Sequence, residues 1–178
     1  MKKIVLFLLI VFMPIVAFSQ NQHMTFMGIP LTGTINAFQS KLASKGGVPN
    51  TRANSQIAVG VRAFNGDFAG FEARIYVYYD KNTKIVYRAK AVITDTNMNI
   101  FEQMYNKIES LVQSKYDGEL DTDKQNGHDA FSITTDLGVV SVYTSMFAES
   151  YPTEYSVHVD YEDFLNGYKH RKSQLDDI

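Results

Sequence analysis

Apolar side chains recur with helical spacing in two segments of the chain. The first segment begins after Thr34, an N-cap residue type, and ends at Gly46, and the second begins near Asn97 and ends at Asp117. Their apolar positions fall every three or four residues: Ile35, Phe38 and Leu42 in the first, and Phe101, Met104, Tyr105, Ile108, Leu111 and Val112 in the second. The pattern predicts two amphipathic helices, each with one buried face.

Runs rich in Val, Ile, Tyr and Ala predict six strands in two groups of three. These strands are Gln56–Phe64, Phe68–Tyr79, Lys84–Ile93, Asp129–Thr135, Val139–Met146 and Glu154–Tyr161. The stretches Val48–Ser55 and Glu119–Gly127 are predicted as loops, and residues 166–178 as a polar tail. The short segment His23–Leu31 is predicted as an edge strand that leads into the first helix.

The order helix, three strands, helix, three strands predicts the α+β class, with a two-layer architecture. Short turns within each group favour an antiparallel sheet, and the two helices would cover one of its faces. We expect a single domain over residues 20–165. Two interpretations of its halves, 28–94 and 95–165, stay open: a structural duplication, or two unrelated segments of similar order.

A register for the first three strands follows from the need for one wholly apolar face. A three-residue loop, Asn65–Asp67, would place Val61 opposite Phe71 and Val59 opposite Ala73. In the next pair, this rule places Val77 opposite Tyr87 and Ile75 opposite Ala89, which also sets Arg74 opposite Lys90.

The other face of these strands would then collect cationic and tyrosine side chains in one patch. Its predicted members are Arg62, Glu72, Arg74, Tyr76, Tyr78, Arg88 and Lys90. Such a patch is suited to an anionic or carbohydrate-like ligand, or to an acidic protein surface. The alternative is an ordinary solvated face on which Arg stems pack along Tyr rings.

The N-terminus has the three parts of a secretory signal peptide in the required order. Lys2 and Lys3 precede an apolar run of about 13 residues, and Ala17 and Ser19 supply the small residues before a cleavage site at Gln20. A membrane span needs roughly 20 apolar residues, and Pro14 interrupts this run. We therefore expect residues 1–19 to be removed and the domain to be exported, either to the periplasm or out of the cell.

Charge and composition exclude several functional classes. Without residues 1–19 the chain has 15 basic and 19 acidic side chains, which lacks the basic excess typical of nucleic-acid binding. The absence of Cys excludes disulfides, thiol catalysis and thiolate metal sites. The histidines at positions 23, 128, 158 and 170 lack metal-ligand spacing, so no metal or other cofactor is expected.

Candidate catalytic residues are few. His158 and Asp160 lie two apart on a predicted strand and therefore share a face, and Tyr161 and Glu162 follow them. A hydrolase that uses His158 with these carboxylates is the alternative to a binding module. A surface histidine near a carboxylate without any catalytic role is the simpler interpretation.

The segment Met27–Thr34, running into a helix that ends at Lys45–Gly46, has a Gly-aliphatic-turn phrase in front of the helix. In this it resembles the opening of small exported beta-lactamase-inhibitor-like domains and of outer-membrane assembly lipoproteins of similar fold. The wider chain looks like uncharacterised small exported proteins of Bacteroidetes-type bacteria. The resemblance covers about 20 residues, and the cysteines of both groups are missing. It implies a non-catalytic binding or interaction module of the cell envelope and transfers no functional residue.

Overall fold

The computed structural model describes residues 22–125 and 128–175, with the side chains of residues 119, 123–125 and 128–129 left aside. The signal peptide predicted at residues 1–19 lies outside this range. The strands are β1 Thr25–Phe26, β2 Ile29–Pro30, β3 Val48–Pro49, β4 Val61–Phe68, β5 Phe71–Tyr79, β6 Val86–Asp95, β7 Glu119–Gln125, β8 His128–Thr135, β9 Gly138–Phe147 and β10 Glu154–Asp163. The helices are α1 Ile35–Ala43, α2 Thr51–Asn54, α3 Met98–Lys115 and α4 Phe164–Leu175.

Eight strands form one antiparallel sheet in the order β3-β4-β5-β6-β10-β9-β8-β7. Alternate residues of the strands, among them Ile75, Ala91 and Val159, are buried in one core together with residues of α1 and α3. The predicted α+β class, with two layers and an antiparallel sheet, is therefore confirmed. The face opposite α1 and α3 is called the outer face below.

Side-chain caps determine where the two main helices begin. The Thr34 hydroxyl accepts a hydrogen bond from the Ala37 amide at 3.3 Å, and the Asn97 side chain accepts one from the Asn99 amide at 2.9 Å. Both contacts satisfy amides that have no partner within the helix. Phe38 and Leu42 of α1, and Met104 and Ile108 of α3, then fill the core as the spacing predicted.

The two halves of the sheet share one topology, and each half contains one strand more than the three that the sequence predicts. In each half a helix is followed by a short outer strand and a three-stranded meander, and β6 pairs with β10 at the centre. The prediction of loops at Val48–Ser55 and Glu119–Gly127 was wrong, because these segments contain β3, α2 and β7. Both strands lie at edges, where one side of the backbone needs no partner strand, so neither requires a strong apolar pattern.

The segment predicted as an edge strand, His23–Leu31, instead forms a separate two-stranded sheet. β1 and β2 pair with each other, with Phe26 opposite Ile29, around a turn at Met27 and Gly28 that has positive φ at both residues. The Phe26 ring contacts Phe68 and Tyr161 at centroid distances of 5.5 and 5.4 Å. This hairpin therefore covers the core and does not extend the main sheet.

The registers of the first three strands differ from the prediction. β4 and β5 are joined by a turn at Ala69 and Gly70, which places Val61 opposite Tyr78 instead of Phe71. That shift of seven residues is odd, so it exchanges the two faces of β4. In the next pair Ile75 lies opposite Ala91, two residues from the predicted Ala89, and a shift of two leaves the faces unchanged.

The C-terminal tail predicted from residue 166 is wrong as far as residue 175, because α4 continues directly from β10 and packs against the sheet. The Asn166 side chain donates to the carbonyls of Leu31 and Val86 at 2.8 and 3.3 Å. His170 stacks on Tyr87 with 4.1 Å between ring centroids. Polar contacts thus hold this helix, which explains why its sequence has little apolar periodicity.

No helix among the residues described has the length and apolar character of a membrane span.

Candidate functional site

Of the seven residues predicted for the patch, all except Arg62 lie on the outer face. Arg74, Tyr76 and Tyr78 alternate along β5, and Arg88 and Lys90 alternate along β6, with Tyr76 opposite Lys90 and Tyr78 opposite Arg88. Glu72 lies at the exposed end of β5, opposite Asp67.

Arg62 is the exception and belongs to the other face. It lies opposite Val77, and its guanidinium donates to the Asn36 and Gln39 side chains of α1 at 3.0 and 2.6 Å. Its placement in the patch was wrong because the loop predicted at Asn65–Asp67 is part of β4.

The adjacent strands β10 and β9 complete the site with residues from the second half of the chain. We call the following set the outer-face cluster: Arg74, Tyr76, Tyr78, Arg88, Lys90, Tyr143, His158 and Asp160. The cluster spans the four central strands, so it straddles the junction between the two halves.

Arg88 and Asp160 form the fixed centre of this cluster. The Arg88 guanidinium donates to both carboxylate oxygens of Asp160, with 2.8 Å from Nε to Oδ1. Arg88 also lies over the Tyr78 ring, 4.8 Å from its centroid. Asp160 is 7% exposed, and the hydrogen bond to Asp160 raises the pKa of Arg88, so the guanidinium stays charged.

Lys90 lacks a carboxylate partner of this kind. Its Nζ is 3.4 Å from the Tyr143 hydroxyl and 5.8 Å from the centroid of the Tyr76 ring, and no ion pair to it occurs among the described side chains. Burial lowers the pKa of Lys90, while Asp160 opposes the shift and Arg88 adds to it. The result is a half-buried ammonium group held between two tyrosines.

His158 stands beside Lys90 on the outer face and stacks on Tyr143. The two rings are nearly parallel, with 4.6 Å between their centroids, and His158 Nε2 lies 2.8 Å from the Ser145 hydroxyl. Its Nδ1 is buried and has no hydrogen-bond partner. Burial lowers the pKa of His158 to about 4; Lys90 acts in the same direction, and Asp160 opposes it. The imidazole is therefore neutral near pH 7.

This burial of a neutral histidine predicts a pH dependence of stability. The unfolded chain takes up a proton near the ordinary histidine pKa of about 6.5, whereas folded His158 takes it up only near 4, so the folded state loses stability as pH falls between these values. We expect a His158→Phe variant, which keeps a ring on Tyr143, to lose less stability over this range than the wild type. Urea unfolding at a series of pH values measures the difference, and identical pH profiles for the two proteins would contradict it.

A shallow groove adjoins the cluster on the side of β8 and β9. It has a volume of about 140 Å³ and is bordered by Tyr143, with the small side chains of Ser132, Ser141 and Ala130 and the carboxylate of Asp121. A ring flanked by hydroxyl groups offers both an apolar contact and hydrogen bonds to a ligand. The groove thus extends the surface that is available next to Lys90.

The carboxylates proposed for a hydrolase do not meet His158. Asp160 is engaged by Arg88, Glu162 accepts a hydrogen bond from Arg171 of α4, and Tyr161 is buried on the core side. Ser145, which sequence analysis did not single out, is the residue whose side chain lies within hydrogen-bond distance of His158. Only the strand pairing Ser145 opposite Ser156 brings them together, and no local motif indicates it.

The described part of the chain contains no cluster of three or more His, Asp or Glu residues that could hold a metal ion.

The chain matches no protein-family model, no curated protein and no solved structure. Its function is therefore inferred from the geometry of its own residues.

Proposed function

We propose that the chain is an exported, non-catalytic binding module of the cell envelope that binds an anionic ligand on its outer-face cluster. The observation that carries the proposal is Lys90, an ammonium group half-buried between Tyr76 and Tyr143 that has no carboxylate partner among the described side chains. Such a group loses hydration without gaining an ion pair, so it destabilises the isolated sheet. An acidic group of a ligand would supply the missing partner.

The charges around Lys90 also favour a negatively charged ligand. Arg74 is exposed on the neighbouring strand, and Arg88 has its charge matched by Asp160. The cluster therefore contains three cations and one carboxylate, which favours acidic groups of a protein surface or an envelope polymer. Tyr76, Tyr78 and Tyr143 add flat contact area at a small entropic penalty.

Charge reversal on the outer face tests this proposal. We expect an Arg74→Glu, Lys90→Gln double variant to lose at least about tenfold in the recovery of partners from envelope extract, since charge-assisted contacts contribute roughly 1.5–3 kcal/mol each. Arg88 is left intact, because its loss would leave Asp160 buried and unpaired. Quantitative pull-down with the immobilised protein gives the measurement.

Arg52→Glu provides the matched control, because Arg52 is an exposed arginine on α2, outside the cluster. Its recovery of partners should equal that of the wild type. Equal recovery by the double variant as well would refute the outer face as the binding surface.

A second function, hydrolysis through His158, is favoured only by the 2.8 Å contact between its Nε2 and the Ser145 hydroxyl. A base with a pKa of about 4 withdraws a proton from serine poorly near pH 7, and no carboxylate orients its Nδ1. A fluorophosphonate probe distinguishes the two functions. Labelling that is lost in Ser145→Ala would support the hydrolase, and absence of labelling would support the binding module.

A further inference from the structure

A cavity of about 260 Å³ lies where α4 meets the turn between β5 and β6 and the chain around β1 and β2. Its polar lining includes His23, Thr32, Asp80, Asn166, Lys169 and His170. None of these residues belongs to the outer-face cluster. The cavity is therefore a separate feature, and the inference drawn from it does not depend on the proposed function.

Both histidines of this cavity are paired with a carboxylate, and one of the two carboxylates, Asp80, also lines the cavity. His23 Nδ1 is 3.1 Å from Asp163 Oδ2, and His170 Nδ1 is 2.9 Å from Asp80 Oδ2. In both pairs the carboxylate holds the same ring nitrogen, so Nε2 of each imidazole is left for a ligand. The stacking of His170 on Tyr87 further fixes its ring.

The two carboxylates are already saturated by the protein. Asp163 also accepts hydrogen bonds from the amides of Met24 and Asn166, both at 2.8 Å. Asp80 accepts from the amides of Asn82 and Thr83 and from the Thr83 hydroxyl. Burial would raise the pKa of Asp80, but these hydrogen bonds and that from His170 lower it to about 2. Because the carboxylate oxygens already accept hydrogen bonds from the imidazoles and from nearby protein groups, they are poor ligands for a bound cation.

The groups that remain available to a ligand are hydrogen-bond donors. Lys169 contributes an ammonium group at the exposed side of the cavity, and each imidazole, once protonated, donates from Nε2. A cation would be repelled by Lys169 and would lack a third acidic or imidazole ligand within the described residues. The arrangement therefore favours an oxyanion.

We propose that this cavity binds a small molecule through a phosphate or carboxylate group, held by Lys169, His23 and His170. An oxyanion accepts a hydrogen bond from Nε2 only when that nitrogen carries a proton, so binding is coupled to proton uptake by any imidazole that is neutral beforehand. Among the described residues, the two rings contact these carboxylates and Tyr87, and Lys169 shares the cavity lining. The cavity lies just below the usual size range of sites for drug-sized ligands, which fits a compact metabolite.

Isothermal titration with inorganic phosphate and with acetate tests the site, and the two anions distinguish phosphate from carboxylate recognition. We expect saturable binding of at least one of them, with a heat that varies with the ionisation enthalpy of the buffer because protons are taken up. Lys169→Ala should weaken binding by at least about tenfold. Lys172→Ala, a lysine three residues further along α4 and outside the cavity lining, should leave binding unchanged.

A His170→Gln variant provides the second arm and is checked for folding by circular dichroism. A folded variant with weakened binding and reduced proton uptake supports the proposal. If this variant does not fold, the lysine pair and the buffer dependence of the wild type decide. Absence of saturable binding, equal affinities for the two lysine variants, or saturable zinc binding that excludes both anions would each overturn the proposal.

Discussion

Replacing Phe26 with Ala is expected to lower the free energy of unfolding by about 3–5 kcal/mol, as for other fully buried Phe side chains. Phe26 has no exposed surface, and its ring stacks on Phe68 and meets the edge of Tyr161. Because the β1–β2 hairpin has only two residues in each strand, its own backbone pairing adds little. Loss of this one ring therefore leaves a cavity and weakens the packing of the hairpin on the core.

Urea unfolding followed by circular dichroism measures this effect. Phe147→Ala is the matched control, because Phe147 is 58% exposed and should change stability by no more than about 0.5 kcal/mol. Similar losses for both variants would show that Phe26 is not the anchor of the hairpin.

Replacing Asp163 with Ala is expected to have an effect of the same size, about 3–5 kcal/mol, for a different reason. Asp163 has no exposed surface and accepts three hydrogen bonds, from the amides of Met24 and Asn166 and from His23. Alanine would leave both amides buried without a partner, and each unsatisfied donor costs about 1–3 kcal/mol. The chain before β1 and the start of α4 would lose their common attachment.

The same unfolding measurement checks Asp163→Ala, with Asp67→Ala as an exposed carboxylate control. Asp163→Asn should fall between the wild type and the Ala variant, because the amide oxygen still accepts while the charge is lost. A stability of Asp163→Ala equal to that of the control would contradict this account.

The two longer core-packing helices, α1 and α3, and the architecture were predictable because they depend on local chemistry. The caps at Thr34 and Asn97 and the regular apolar spacing after them can be recognised within one short stretch of sequence. The faces of β5 and β6 were also predictable despite a wrong register, since an error of two residues leaves each side chain on its own face.

The prediction of strand register failed where a turn lacked a clear sequence signature. Ala69 adopts a φ of 55°, a conformation that favours Gly or Asn, so the turn at Ala69–Gly70 had a weaker sequence signature than Asn65–Asp67. The predicted loop at Asn65–Asp67 exchanged the two faces of β4 and therefore placed Arg62 on the outer face instead of the core face. Likewise, α4 is held by Asp80, Tyr87 and the carbonyl of Leu31, which are distant in sequence and leave no periodic trace.

The part of the site on β5 and β6 was predictable from the sequence, whereas the part on β9 and β10 was not. Arg74, Tyr76 and Lys90 follow from alternation along two strands. Asp160, Tyr143 and Ser145 join them only because β10 inserts between β6 and β9, a pairing between residues some 70 positions apart that no turn dictates. The central position of β10 thus decides the chemistry of the outer face.

The antiparallel ladder between β6 and β10 is the seam at which the two halves of the chain meet. Arg88 reaches across it to Asp160, and Asp80 reaches His170 from the opposite half as well. A cut in the connection at Thr96 would divide the chain into two fragments of similar topology, and neither fragment would contain all the residues of either proposed site. Binding at these proposed sites would therefore require both pieces, so recovery of binding would report directly on their reassembly.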